Sequence, residues 1–365
     1  MRLSRLFGVA LACVGLAALV LGPRTAARGQ QVPGRLFIAE PDLAARDRAE
    51  SPTVVRSRRV TIDSSALLDS SLAVSRLAAR PSIVLNLFAD TSFTAVLDRT
   101  DASSTGLTWV GHIPGIDLST VTLVSLDGVV AGSVVMPSAV FAIRYVGHGI
   151  HEVAQVDQSK FLRELEPVVP PGLRDGVSRA SDTEPPSAMR DDGTIIDVLV
   201  LYTPAAVAAA GGVTAMAARI NLGISETNTS YGNSGVSQRL KLVGTQQVAH
   251  TEDSYLYVDL DAVSNSSRKT VLGDTAAALR DAFSADLVML ITAPVNPAGC
   301  GVAWLMSSVS SGMADYGFSV VAESCISPNY SFGHELGHNM GARHDWYVDQ
   351  GTTPHTYAHG FVDPV

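Results

Sequence analysis

The run His334-Glu335-Leu336-Gly337-His338-Asn339-Met340-Gly341-Ala342-Arg343-His344-Asp345 constrains this chain more than any other stretch of it. On a helix, His334 and His338 stand four residues apart, so their imidazoles leave one face and can share a cation. Glu335 flanks that face and can hydrogen-bond a water held by the metal. Gly341 supplies the left-handed backbone that ends a helix and turns the chain. His344 can then return to the same cation as a third nitrogen ligand. Three protein ligands leave a fourth position for water, which separates a catalytic zinc site from a structural one. A bare H-E-x-x-H also occurs on solvated surface helices; the added glycine and third histidine separate the two readings.

The extended pattern H-E-x-x-H-x-x-G-x-x-H resembles the motif of the metzincin metallopeptidases. The trailing Asp345 is similar to the reprolysin-like (adamalysin-like) branch. The preceding Cys325-Ile326-Ser327-Pro328-Asn329-Tyr330-Ser331-Phe332-Gly333 resembles bacterial secreted members, in particular the peptidyl-Asp metalloendopeptidase family. The likeness extends over most of the chain, although the zinc motif alone is specific. It implies an α/β (α+β) metzincin-like catalytic domain with a mixed sheet and a zinc-site helix, preceded by an antiparallel β propeptide domain. It also implies a secreted, zinc-dependent endopeptidase acting on protein or peptide substrates. Zn²⁺, one per chain, falls to His334, His338 and His344, and the role of general base to Glu335. Gly341 and Asp345 are structural supports. Cleavage on the amino side of Asp is a further implication, and it calls for a local cation in the cleft. Arg343 and the Arg268-Lys269 pair are candidates, each equally readable as an ordinary surface cation.

The N-terminus and the cysteines agree with export. Residues 1–27 read as a signal peptide, with Arg2 and Arg5 before an apolar run from Leu6 to Leu21 and small residues at Thr25-Ala26-Ala27. The run is short for a membrane anchor, so no stable membrane association is expected after signal removal. Cys300 and Cys325 remain after that removal, and an even pair in an oxidising compartment reads as a disulfide. Residues 190–365 carry 8 Lys+Arg against 17 Asp+Glu, a balance of −9, which argues against nucleic acid as a partner. Acidic composition admits calcium, but no loop such as D-x-D-x-D-G supports it. Oligomeric state is not legible.

The chain divides into unlike halves. Residues 28 to about 80 are weakly patterned, with a short helix expected around Ser64–Ala79. From Ser82 to Gln158 the sequence reads as strands, including Thr120–Leu126 and Val129–Met136 around the hairpin signal Asp127-Gly128. His148 and His151 in this region read as turn and strand residues rather than ligands. Glu166–Thr194 holds Pro167, Pro170, Pro171, Pro185 and Pro186 and reads as a linker with no regular element. The expected organisation is a propeptide over 28–185, with its β-rich core at about 82–158, and a catalytic domain over 186–365. Two permanently joined domains are the other reading. Past the linker, Ile195–Tyr202, Arg239–Val243, Asp286–Thr292, Gly301–Ser307 and Phe318–Glu323 read as strands. Helices are expected over Pro204–Asn228 and Thr275–Ser284, and from near Asn329 or Ser331. In relatives, the strand corresponding to Gly301–Ser307 edges the cleft, where an extended peptide can add itself as a strand.

One departure stands against the resemblance. Metzincins carry a methionine turn beneath the zinc site, yet no methionine follows Met340. The expectation is a fragment that lacks the C-terminal subdomain. The alternative is an inactive zinc-binding remnant acting as a binding or inhibitory protein, and a weaker third reading is a zinc amidase. His355 and His359 lie in the segment leading toward the missing turn and are not assigned as ligands.

Overall fold

The computed structural model describes residues 34–39, 52–63, 65–67, 81–102, 106–171 and 195–362. The expected signal peptide, most of the expected Ser64–Ala79 helix and positions 172–194 of the linker lie outside these residues. Pro33–Val365 form one compact unit.

Alternating apolar and polar residues build the N-terminal half into antiparallel strands: β1 Phe37–Ala39, β2 Val54–Ile62, β3 Ser82–Phe88, β4 Thr91–Ala102, β5 Gly106–His112, β6 Thr120–Leu126, β7 Val129–Met136, β8 Ala139–Gly147 and β9 Ile150–Val156. The nine-stranded sheet runs β1-β2-β9-β8-β7-β6-β5-β4-β3. Its two ends meet, because the Leu36 N–H donates to the Val84 carbonyl at 3.0 Å and the Val84 N–H to the Gly34 carbonyl at 3.0 Å. Closure encloses a core around Trp109, Leu123, Phe141 and Val153 and covers edges that would otherwise invite pairing. The Asp127-Gly128 turn has both residues at positive φ, 46° and 81°, as a tight two-residue hairpin requires. The sheet begins well before residue 82: β1 and β2 are short or half-buried strands whose arginines (Arg56, Arg58, Arg59) mask the alternation.

The C-terminal half is a mixed sheet with helices. It contains β10 Ile195–Tyr202, α1 Pro204–Ala210, α2 Val213–Asn233, β11 Arg239–Gln247, α3 Leu256–Ser264, α4 Val271–Phe283, β12 Leu287–Thr292, β13 Gly301–Ala303, β14 Phe318–Ala322 and α5 Ser331–Asn339. The order is β11-β10-β12-β14-β13; all pairs are parallel except β13 against β14. The apolar runs of β10 and β12 are buried as interior parallel strands require. The long helix expected from Pro204 is broken by Gly211 and Gly212, both at positive φ, into α1 and α2. Helix α3 was not legible as a separate element.

The two halves share a core. Val124, Leu126, Val129 and Ala131 of the β half join Met216, Ile220 and Phe332 in one buried cluster. At the same contact Arg99 donates to Thr229 Oγ1 at 2.9 Å, and Ser133 donates to the Glu226 carboxylate at 2.5 Å.

Candidate metal centre and cleft

Helix α5 begins at Ser331, after a left-handed Tyr330 (φ 64°), and closes at Met340. Its turns carry His334 and His338 on one side, and Gly341 (φ 91°) then reverses the chain so that His344 comes back. A Cβ at Gly341 would stand 2.8 Å from Pro354 Cγ and 3.0 Å from Met306 Cε, so the position excludes a side chain as well as requiring the left-handed backbone. His338 Nε2 lies 2.9 Å from His334 Nε2, which lies 3.1 Å from His344 Nε2. Among the described residues, these three histidines are the one group of three or more potential ligands drawn together.

The donor set fits a metal. Tetrahedral zinc at about 2.0–2.1 Å from each nitrogen needs mutual nitrogen separations of roughly 3.3 Å, close to those found. His338 Nδ1 lies 2.8 Å from the Ala342 carbonyl and donates to it, which leaves the Nε2 lone pair facing inward. Burial, then the neighbouring His338 and His344, depresses His334 to about 3; burial depresses His338 to about 4. Both rings are therefore neutral near pH 7, the form that binds a cation.

Glu335 follows His334 on α5 and is wholly buried. Gly301 of β13 makes room for it: a Cβ there would stand 2.6 Å from Glu335 Cγ. Both Glu335 carboxyl oxygens lack a hydrogen-bond donor among the described residues. They face the carboxyl of Glu164, and two facing carboxyls are satisfied by one shared proton. Burial, then the charge of Glu164, pushes Glu335 well above the ordinary carboxylate range.

Glu164 was not singled out by sequence, and neither was its segment. Glu166–Pro171 was expected to be irregular linker, but Arg163–Val168 pairs with the free edge of β13 and its extension. The Cys300 N–H donates to the Arg163 carbonyl at 2.9 Å, Leu165 N–H to Gly301 at 3.1 Å, Val168 N–H to Ala303 at 2.9 Å, and Leu305 N–H to Val168 at 2.8 Å. The bridge Val168↔Trp304 is parallel. The local sequence signal is confined to the three residues Glu164-Leu165-Glu166, too short an alternation to mark a strand and followed by prolines. Glu166 sets Oε2 3.6 Å from His344 Nδ1, on the side of the ring away from the other histidines. Only Gly301–Ala303 of the expected Gly301–Ser307 strand is regular.

The remaining candidates fall in place without entering the centre. Arg343 is committed to Asp349 (2.7 Å) and to Thr353, so its charge is already partnered away from the three histidines. Asp345 accepts the Tyr347 N–H at 2.8 Å and stabilises the turn after His344. His359 bonds the His344 carbonyl at 2.7 Å and stacks on Trp346 with centroids 3.5 Å apart. His151 is a core residue whose Nε2 accepts the Val130 N–H at 2.9 Å. Cys300 and Cys325 are joined, with an S–S distance of 2.08 Å and Cα atoms 5.5 Å apart, tying the start of β13 to the approach to α5.

A three-histidine centre on a helix, under the edge strand of a mixed sheet, defines a metallopeptidase-type domain. Residues 193–361 match the model of the metallo-peptidase family M12B, reprolysin-like, and this half of the chain is a reprolysin-like metallopeptidase domain. The chain is 32% identical to a peptidyl-Asp metalloendopeptidase of Stenotrophomonas maltophilia (strain R551-3), over 67% of this chain and 56% of that protein. A protein of the same name from Xanthomonas campestris pv. campestris is 28% identical over 95% of this chain and 84% of its own length. The chain thus spans about half the length of the first of these relatives. Among solved structures, metalloproteinase-II from Bacteroides fragilis aligns with a TM-score of 0.45 at 11% identity, over 75% of this chain and 85% of that one.

Proposed function

We propose that this chain is the precursor of a secreted zinc endopeptidase, with His334, His338 and His344 as metal ligands and Glu335 as general base. The observation that carries the reading is the convergence of three imidazole Nε2 atoms within 2.9–3.1 Å contacts, next to a fully buried carboxyl with no donor of its own. Zn²⁺ bound there supplies a Lewis acid for the scissile carbonyl and an acidified water. Glu335 takes the proton from the attacking water and delivers it to the leaving amine. The peptide lies along the β13 edge, whose backbone groups at Gly301, Ala303 and Leu305 align it. Cleavage on the amino side of Asp is part of the proposal, supported by the name of the relatives.

The β half is proposed as a propeptide, and its latency device is the strap Arg163–Val168. A segment bonded to the substrate edge excludes substrate from the same groups. Its parallel direction along that edge is supported by the bridge Val168↔Trp304.

The test of the mechanism is Glu335→Gln. The amide matches the carboxyl in shape and cannot accept a proton, so the variant should keep about one zinc per chain while losing at least ~10²-fold of its turnover after activation. Undiminished peptide hydrolysis by the zinc-loaded variant would exclude Glu335 as base.

A further inference from the structure

The strap is more than a plug, because one of its side chains is seated in a built site. Paired extended segments alternate their side chains, and Leu165 packs beside Gly299, where a Cβ would stand 2.6 Å from Leu165 Cγ. Glu164 turns to the other side, toward α5. There its carboxyl accepts from the Ser331 hydroxyl, meets the Glu335 carboxyl and lies beside the Gly301 amide. Ser331 is fully buried and opens the first turn of α5, a helix of nine residues that has no side-chain cap. The unpaired N–H groups of that turn add a partial positive charge beside the hydroxyl. Glu335, wholly buried, faces Glu164 in the same pocket.

We propose that Ser331 Oγ and the Gly301 amide form the subsite for an acidic side chain of the bound peptide, with Glu164 as its resident occupant in the precursor. Any extended peptide added to the β13 edge uses the backbone groups that hold the strap, so it presents alternate side chains to the same pocket. A carboxyl arriving there meets a hydroxyl, an amide and a helix N-terminus, and needs no arginine or lysine. Of the candidate cations, Arg343 is already held by Asp349. The facing Glu335 carboxyl can share one proton with the carboxyl that arrives, as it does with Glu164. Ser331 is thereby a specificity-determining residue for the reaction proposed above, on which this inference rests.

The experiment uses the zinc-loaded full chain with Ser331→Ala, Glu164→Ala and the double variant. In the uncleaved chain, amide hydrogen exchange at Leu165 and Val168 reads how firmly the strap is held. Each single variant should raise it about tenfold or more, as loss of a hydrogen bond to a carboxyl does. The double variant should raise it no further, because both changes remove one interaction. After linker cleavage, the ratio of kcat/KM for two peptides differing only in Asp or Ala should fall about tenfold in Ser331→Ala. Exchange unchanged in Glu164→Ala, additive effects in the double variant, or an unchanged Asp/Ala ratio each overturn the proposal. Glu164→Ala alters a side chain of the strap outside the mixed sheet and α5, and keeps the exchange arm decisive if Ser331→Ala folds poorly. Absence of all peptide hydrolysis in the unsubstituted chain overturns the peptidase reading instead, and the exchange result then decides the pocket alone.

Discussion

At the scale of single residues, the centre is a set of buried groups arranged to stay neutral until charged partners arrive. His338 carries the clearest case, since its Nδ1–H is spent on the Ala342 carbonyl at 2.8 Å and its Nε2 can only face inward. Removing it leaves two nitrogens for a cation that takes four ligands. His338→Ala should therefore drop the zinc content from about one per chain to near zero after dialysis against a weak chelator, measured by metal analysis. Zinc retained at the level of the unsubstituted protein would remove His338 from the site. The ligand triad and Glu335 were legible because their spacing encodes one helix and one turn. Glu164 was not legible, because nothing local in Arg163-Glu164-Leu165-Glu166 says that this segment finds an edge strand more than a hundred residues away.

At the scale of elements, periodicity revealed most strands of both sheets and missed what depends on partners. The hairpin β6–β7 was readable from Asp127-Gly128, whereas β1 and β2 are recognisable only once their pairing closes the barrel. Helix α2 illustrates how an element joins the halves: its Glu226 is fully buried between β7 and the loop before α5. That carboxyl accepts from Ser133 at 2.5 Å and from Ser327 at 2.8 Å; Arg219, ion-paired with Glu323, and Tyr330 are the charged and titratable groups acting on it. Burial pushes Glu226 up from 4.5 to about 7. A folded value above the unfolded one means that the assembled state binds the proton more tightly, so its stability is greatest at low pH. The contribution is lost as pH rises from about 4.5 through about 7, amounting to on the order of 3 kcal/mol. Glu226→Gln has no proton to lose, so relative to the unsubstituted chain it should gain melting temperature between about pH 5 and about pH 8. The same difference in Tm at both pH values would show that Glu226 does not titrate in this window.

At the scale of the whole molecule, the order of the halves in the chain and their contact in space point to one consequence. The β half, the strap and the cleft are continuous: β9 ends at Val156, and the strap begins pairing at Arg163. A strap held at one end by a closed barrel, and at the other by the chain leading into β10, stays at high local concentration over the edge it blocks. Cutting between Pro171 and Ile195 frees one end, and loss of the β half removes the strap entirely. Positions 28–189 contain no cysteine, so the block cannot be a thiolate on the metal. Activity should therefore be low in the intact precursor and rise after linker cleavage and separation of the β half, on the order of 10² for an effective concentration in the millimolar range. Thiol-modifying reagents should leave the latency intact. The discriminating measurement is the rate of peptide hydrolysis before cleavage, after cleavage with the halves still associated, and after their separation. Equal rates in all three preparations would show that the strap does not govern access to the cleft.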